Sequence, residues 1–317
     1  MKRWVQLGLL FAMSLAVWIP AGCNRGRRDI PEGTLISVYY SSDTRGRLDG
    51  CGCKHEDGGI ARRSAVILAA REEDPAVVYC DAGNFLSGSA AADSTRGAVM
   101  VEAYNHLKPA AVNLSERELA FGVDAFKAAK RDAKFEFVSA NLRFKGGALA
   151  TPYVIRMVKD ARVAFVGLCG IRDVMRSDSA LLPDGVIIED PVSFARRAVA
   201  GLEGKAEIII LLSTCGDAVD SLLAQSLPQV DVIVGGRSYR TNCDSPWVIG
   251  KTRIVRAEHD GRSLGRMNLV FGPKAELRDY LGAEVALGAR VSSDAGMIER
   301  VRRHIPGFSE TPQRPSP

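Results

Sequence analysis

Five short polar segments of this chain hold residue types that do chemistry, and each follows an apolar run. Ser42-Asp43-Thr44-Arg45-Gly46-Arg47-Leu48 offers a carboxylate with two arginines close behind it. Asp81-Ala82-Gly83-Asn84 sets a carboxylate and an amide either side of a small turn. Leu114-Ser115-Glu116-Arg117-Glu118-Leu119 places a guanidinium between two carboxylates. Leu212-Ser213-Thr214-Cys215-Gly216 brings hydroxyls and a thiol, and Gly235-Gly236-Arg237-Ser238-Tyr239 an arginine after paired glycines. Two-metal hydrolysis needs a shared carboxylate and neutral imidazoles around ions about 3.5–4 Å apart. The four histidines, His55, His106, His259 and His304, all fall outside these segments. Arginine cannot deprotonate to bind a cation; it offers paired donors to carboxylates, phosphates and sulfates instead. Arg45, Arg117 and Arg237 are therefore candidate partners for Asp43 and Glu116 if these segments meet in one cleft. They form either salt bridges that fill it or a metal-free pocket for an anion, with Asp81 and Glu118 bracing the loops.

The cysteines carry a second possibility. Cys51-Gly52-Cys53-Lys54 lies in a glycine-rich stretch directly after the Asp43 segment. Thiols separated by one glycine can close a small, strained disulfide ring that is easily reduced. A neighbouring lysine favours the thiolate. Cys51 and Cys53 are thus candidate catalytic thiols; the alternative is that each bridges elsewhere, for example to Cys215 or Cys243. No pair has the spacing of a zinc knuckle. Cys80 and Cys169, flanked by apolar residues, read as buried inert thiols.

The elements that must position these groups are legible as alternating apolar runs. Leu35 to Tyr40, Ala76 to Tyr79, Phe135 to Val138, Val163 to Leu168, Ile208 to Leu212 and Val230 to Val234 read as buried strands. Ala195, Ala198, Val199 and Leu202 share one helical face, and Val219, Leu222, Leu223 and Leu227 another. Asp190-Pro191 and Ser292-Ser293-Asp294 look like helix starts. Trp247 to Ala257 and Leu264 to Phe271 flank His259-Asp260-Gly261 as a hairpin. Strands interleaved with helices imply a layered α/β domain, partly antiparallel at its end. Ligands in such folds gather at the loops after the strands' carboxyl ends, which is where the five segments lie.

The first 22 residues read as a lipoprotein signal peptide: Met1-Lys2-Arg3, then apolar Leu7 to Ile19, then Ala21-Gly22-Cys23. Cys23 is the expected lipidation site, with Pro20 departing from the usual leucine. Residues 23–33 read as a polar tether, 34–275 as the single folded domain, and 276–317 as a C-terminal helix and disordered tail from Glu310. The net charge of +5 is modest and the arginines are scattered, which argues against nucleic acid as a partner.

In order and setting, the five segments resemble the ligand loops of calcineurin-like metallophosphoesterases, in the 5′-nucleotidase and UDP-sugar hydrolase branch. The family reads Asp-x-His-Gly, Asp-Ala-Gly-Asp, Gly-Asn-His-Glu, Leu-Ser-His-x-Gly and Gly-Gly-His-Ser-His at these places. Gly58-Gly59-Ile60-Ala61-Arg62-Arg63 is similar to a further element of that branch. Cys51-Gly52-Cys53-Lys54 resembles the signature of a degenerate lipoprotein subgroup. The resemblance implies a four-layer α/β/β/α sandwich and, in active members, two divalent metals. It also puts Arg45, Asn84, Glu116, Thr214, Arg237 and Tyr239 where ligands are expected and Arg117 where the catalytic histidine stands. Of the ligand positions, Asp43 alone keeps its identity, and the resemblance implies that Arg45, Arg117 and Arg237 converge with it and Glu116 in one cleft. The branch further implies a C-terminal nucleobase-stacking domain, which is not expected here. The expectation is an envelope lipoprotein, facing the periplasm and more readily at the outer than the inner membrane, without cofactor. It binds an anionic small molecule or an envelope protein, or works through its thiols; a retained hydrolase with an altered metal site is the alternative.

Overall fold

The computed structural model describes residues 27–50, 57–170, 182–238 and 240–310. Cys23, Cys51, Cys53 and Tyr239, singled out above, lie outside them. The chain forms β1 (Thr34–Ser41), α1 (Ile60–Glu73), β2 (Val78–Asp81), α2 (Ala90–Ser94), α3 (Ala98–Leu107), β3 (Ala111–Asn113), α4 (Val123–Asp132) and β4 (Phe137–Val138). It continues through β5 (Leu142–Phe144), β6 (Gly147–Ala148), β7 (Tyr153–Val158), β8 (Ala161–Cys169), β9 (Val186–Ile188), α5 (Pro191–Ala200), β10 (Ile208–Thr214) and α6 (Asp217–Ser226). Last come β11 (Val232–Gly235), β12 (Trp247–Ile249), β13 (Thr252–Val255), β14 (Ser263–Phe271), β15 (Leu277–Ala286) and α7 (Ala295–His304).

Two six-stranded mixed sheets result, ordered β15-β14-β1-β2-β3-β4 and β12-β13-β11-β10-β8-β7, with β6-β5-β9 as a small third sheet. Period-two alternation drives the layering. Ile36, Val38 and Tyr40 of β1 face Phe165, Ile210 and Val234 of the second sheet. Tyr39 points the other way, into a cluster with residues of α1, α3 and α7. On the far face of the second sheet, Ala195, Ala198 and Val199 of α5 and Leu223 of α6 pack on Val166, Ile209 and Leu211. Helix, sheet, sheet, helix is the expected four-layer sandwich. The α5 start is as read: the Asp190 side chain accepts from Ser193 N at 2.8 Å, with Pro191 opening the helix.

Three expectations are corrected. Residues 247–257 and 264–271 do not form a hairpin across His259-Asp260-Gly261. β13 pairs parallel with β11 in one sheet, and β14 pairs antiparallel with β1 in the other. The linker crosses between sheets, held where Asp260 N donates to Asp43 O at 2.9 Å. Real hairpins turn at Gly250 and Gly272. Second, the domain does not end at 275: β15 adds ten residues to the first sheet. As an edge strand it is exposed at Arg278, Asp279 and Glu284, which hides its pattern. Glu310 is no tail residue either, since its carboxylate accepts from Ala61 N (2.6 Å) and Arg62 N (2.9 Å) at the start of α1. Third, the tether's end is docked. Arg27 grips Asp231 through both guanidinium nitrogens (2.7 and 2.9 Å), and Ile30 is buried between the sheets.

Phe85, at the first sheet's outer face, stacks on Tyr104 with ring centroids 4.0 Å apart and meets Phe137 at 6.0 Å. It is fully buried. Phe85→Ala should cost roughly 3–5 kcal/mol, read as a lowered urea midpoint at unchanged slope. A loss of well under that range would mean the aromatic cluster closes over the gap.

Candidate functional site

The carboxyl ends of β1, β2, β3, β10 and β11 meet at one pole, and their loops build a cleft. Asp43 sits at its centre, 4 % exposed. Its carboxylate accepts from Asn84 Nδ2 at 2.7 Å and from the backbone N–H of Arg237. The first and second sheets are thus tied through one side chain. Backbone bonds hold it there: Asp43 N to Gly83 O at 3.0 Å and Arg45 N to Asn84 O at 2.8 Å. Gly236 passes so close that a side chain would sit 3.0 Å from the Asp43 carboxylate. That explains one of the paired glycines. Asp43, Arg45, Asn84 and Arg237 all hold left-handed backbones, with φ of 49°, 51°, 63° and 54°. Such conformations cost non-glycine residues roughly 1–3 kcal/mol each and gather where a site over-determines the loops.

Asp81 and Glu118 brace the loops as expected. Asp81 accepts from Gly83 N (2.7 Å), Tyr104 OH (2.7 Å) and the Ser41 hydroxyl. Burial pushes its carboxyl up, against the pull of those bonds. Glu118 gathers Phe85 N at 2.7 Å, Ser115 N at 2.9 Å and Leu86 N at 3.3 Å. The Ser115 hydroxyl lies 2.7 Å from Asn84 Oδ1 and also meets the Glu118 carboxylate, which joins the amide facing Asp43 to the same network.

The three arginines divide. The Arg237 guanidinium enters the cleft and pairs with Glu116; burial disfavours its charge, but the Glu116 carboxylate outweighs that. Arg45 turns to the rim, 3.6 Å from Asp260, which itself bonds His259 Nδ1 at 2.8 Å. Arg117 reaches over Gly88, beside the backbone of Arg45. Of the three arginines expected to converge, Arg237 alone meets Asp43 and Glu116, with Asn84 beside them, while Arg45 and Arg117 flank the group. Thr214 is buried, its hydroxyl 3.5 Å from Leu168 O. Sequence reasoning missed two members. Cys169 Sγ lies 3.7 Å from Glu116 Oε2, and burial first, then Glu116, holds its thiol protonated. Asp260, read as part of a turn, is the other. Cys169 closes β8 and Asp260 lies beyond the end of β13, so position after a strand of the second sheet is the signal that marks them. Cys80, Cys169, Cys215 and Cys243 are free thiols.

A buried network supports the Arg237 loop from below. Arg256 donates to Asp220 at 2.6 Å and lies 3.1 Å from Asp217, and Ser213 Oγ donates to Asp220 at 2.5 Å. Gly235 has to be glycine, because a side chain would meet the Asp220 carboxylate at 2.7 Å. Burial pushes the Asp220 carboxyl up to about 7, against the pull of Arg256. An unfolded aspartate releases its proton near pH 4, so between about pH 4 and 7 the folded chain retains a proton that the unfolded chain loses. Stability falls as pH rises through that window. Asp220→Asn should flatten this part of the profile, measured as urea midpoints from pH 4 to 8. A slope as steep as the parent's would assign it to another group.

No family model matches the chain. Human 5′-nucleotidase is 25% identical over 319 residues, covering 90% of this chain and 53% of that protein. The snake venom 5′-nucleotidase of Naja atra is 25% identical over 311 residues, covering 86% and 58%. The chain spans about half the length of the curated relatives it matches. Among solved structures, the 5′-nucleotidase precursor of Thermus thermophilus superposes with a TM-score of 0.76 at 25% identity, over 86% of this chain and 58% of that one. The calcineurin-like phosphoesterase YfkN of Bacillus subtilis superposes with a TM-score of 0.73 at 19% identity, over 86% and 97%. Two-sheet architecture and sequence likeness agree: the chain is similar to part of the 5′-nucleotidases and shares the fold of calcineurin-like metallophosphoesterases.

Proposed function

We propose that this chain is a non-hydrolytic member of that family, an envelope lipoprotein whose cleft binds an anionic small molecule or a partner protein. One observation carries the reading: the Arg237 guanidinium sits on Glu116 while its backbone N–H sits on Asp43. The carboxylates at the cleft centre are thereby committed to N–H donors. The remaining groups are an amide at Asn84, a hydroxyl at Thr214 and a protonated thiol at Cys169. That set does not fit a pair of divalent cations, which need a bridging carboxylate and imidazoles and are repelled by a guanidinium. Among the described residues, no group of three or more His, Cys, Asp or Glu is placed to hold a metal ion. An anion is a better match. Arg237 offers paired donors to phosphate or sulfate, with Arg45 and Arg117 at the rim.

Two experiments test this. The chain purified from Arg27 onward should carry no stoichiometric Mn, Zn, Fe or Ca and show no phosphodiesterase or nucleotidase turnover when these are added. Two metals per chain, or turnover abolished by Asp43→Ala, would favour a hydrolase with an altered metal site and sink the proposal. For the anchor, cells should incorporate labelled palmitate at Cys23, and Cys23→Ser should release the protein into the periplasm. Unchanged membrane fractionation of that variant would place the anchor elsewhere.

A further inference from the structure

We infer that the pole at which the parallel strands begin rests on the membrane surface, so that the cleft points away from the bilayer. The inference rests on the anchor reading of Cys23 and adds the pose of the body. Arg27 is bidentate on Asp231 and also donates to Ala275 O at 2.8 Å. Arg28 lies 3.7 Å from Glu207 and donates to Asp160 O at 3.3 Å. Asp29 accepts from Lys274 N at 3.1 Å. Asp231 and Glu207 immediately precede β11 and β10, whereas the cleft residues Arg237 and Thr214 lie at or beyond the other ends of those strands. The Arg27–Asp231 clamp and the Asp43–Arg237 bond thus mark opposite poles.

Distances decide the pose. Only four residue steps separate Cys23 from Arg27, and an extended chain covers them in roughly 14 Å. The seven residues of β10 alone set the poles roughly 20 Å apart, at about 3.3 Å per residue. A docked Arg27 cannot let the cleft reach the bilayer. The same pole presents Lys108, Lys134, Lys159, Lys205, Lys251 and Lys274, all exposed and each in a turn or loop at the strand starts. Acidic groups share it: Asp74 pairs with Lys159 at 3.0 Å and Glu32 with Arg278 at 3.0 Å. Asp132, Glu136, Asp160, Glu203 and Glu276 are exposed in or beside the same turns, so the pole carries both signs and is not a basic patch. The anchor therefore supplies affinity, and the lysines meet headgroup phosphates around it. Exposed Lys127 and Lys145 lie on the flank, over Phe144.

The test uses the full chain in vesicles of phosphatidylethanolamine and phosphatidylglycerol, beside the soluble Cys23→Ser form. Both are treated with a membrane-impermeant amine-acylating reagent, and each lysine is read by mass spectrometry. The six pole lysines should react several-fold more slowly in the vesicle-bound chain, with Lys127 and Lys145 unchanged. Equal reaction at pole and flank in a chain that floats with the vesicles would overturn the pose while leaving the anchor. A full chain that does not float would overturn the anchor and the pose together. Arg27→Ala should still float but lose the protection; protection that persists there would overturn the role of the clamp.

Discussion

The arrangement depends on one buried carboxylate. Asp43 accepts from a side chain of the first sheet and from a backbone N–H of the second, so it closes the sandwich at the end where apolar packing stops. A buried charge is stable only when its lone pairs are filled, and the surrounding loops are bent to fill them. Left-handed backbones at Asp43, Asn84 and Arg237 and the close passage of Gly236 all serve that requirement. Removing the carboxylate would leave two donors facing one another across the gap. The strain in the loops would then have nothing to hold it.

A guanidinium on Glu116 makes the centre of the cleft neutral and largely satisfied. An incoming anion has to draw Arg237 away from Glu116 or bind across it, with the rim arginines as further partners. Buried ion pairs add little net stability, yet breaking one leaves an uncompensated charge. Such a cleft favours a ligand that brings its own negative charge to the exchange. The thiol of Cys169 does not alter this balance, because burial keeps it protonated.

Much of this is legible in the residues. Fully buried strands such as Ile208–Thr214 announce themselves as unbroken apolar runs, and Asp190-Pro191 announces α5 by its cap. The loops of the cleft are found because ligands gather after strand ends. What escapes is non-local. The ten residues of β15 run along an exposed edge, with Arg278, Asp279 and Glu284 among them, so no periodicity marks them. His259-Asp260-Gly261 has the composition of a hairpin turn, but its backbone is claimed by Asp43, more than two hundred residues earlier. Arg45, expected at the centre, lies at the rim, because Asp260, invisible as a partner in the sequence, draws it there. Arg27 looks like linker until Asp231 supplies its acceptor.

Glu310 has a consequence for how the chain comes together. The first turn of α1 is capped by a residue 249 positions further on, and the antiparallel neighbour of β1 is β14. Both closures join sequence-distant segments, and loop closure of that length is slow. β1 and α1 are therefore left without an antiparallel neighbour and without a cap until residues 263–310 are available. A nascent or threaded chain of this topology stays open at β1 and α1 until β14 and Glu310 arrive, so folding of this region is not propagated outward from β1.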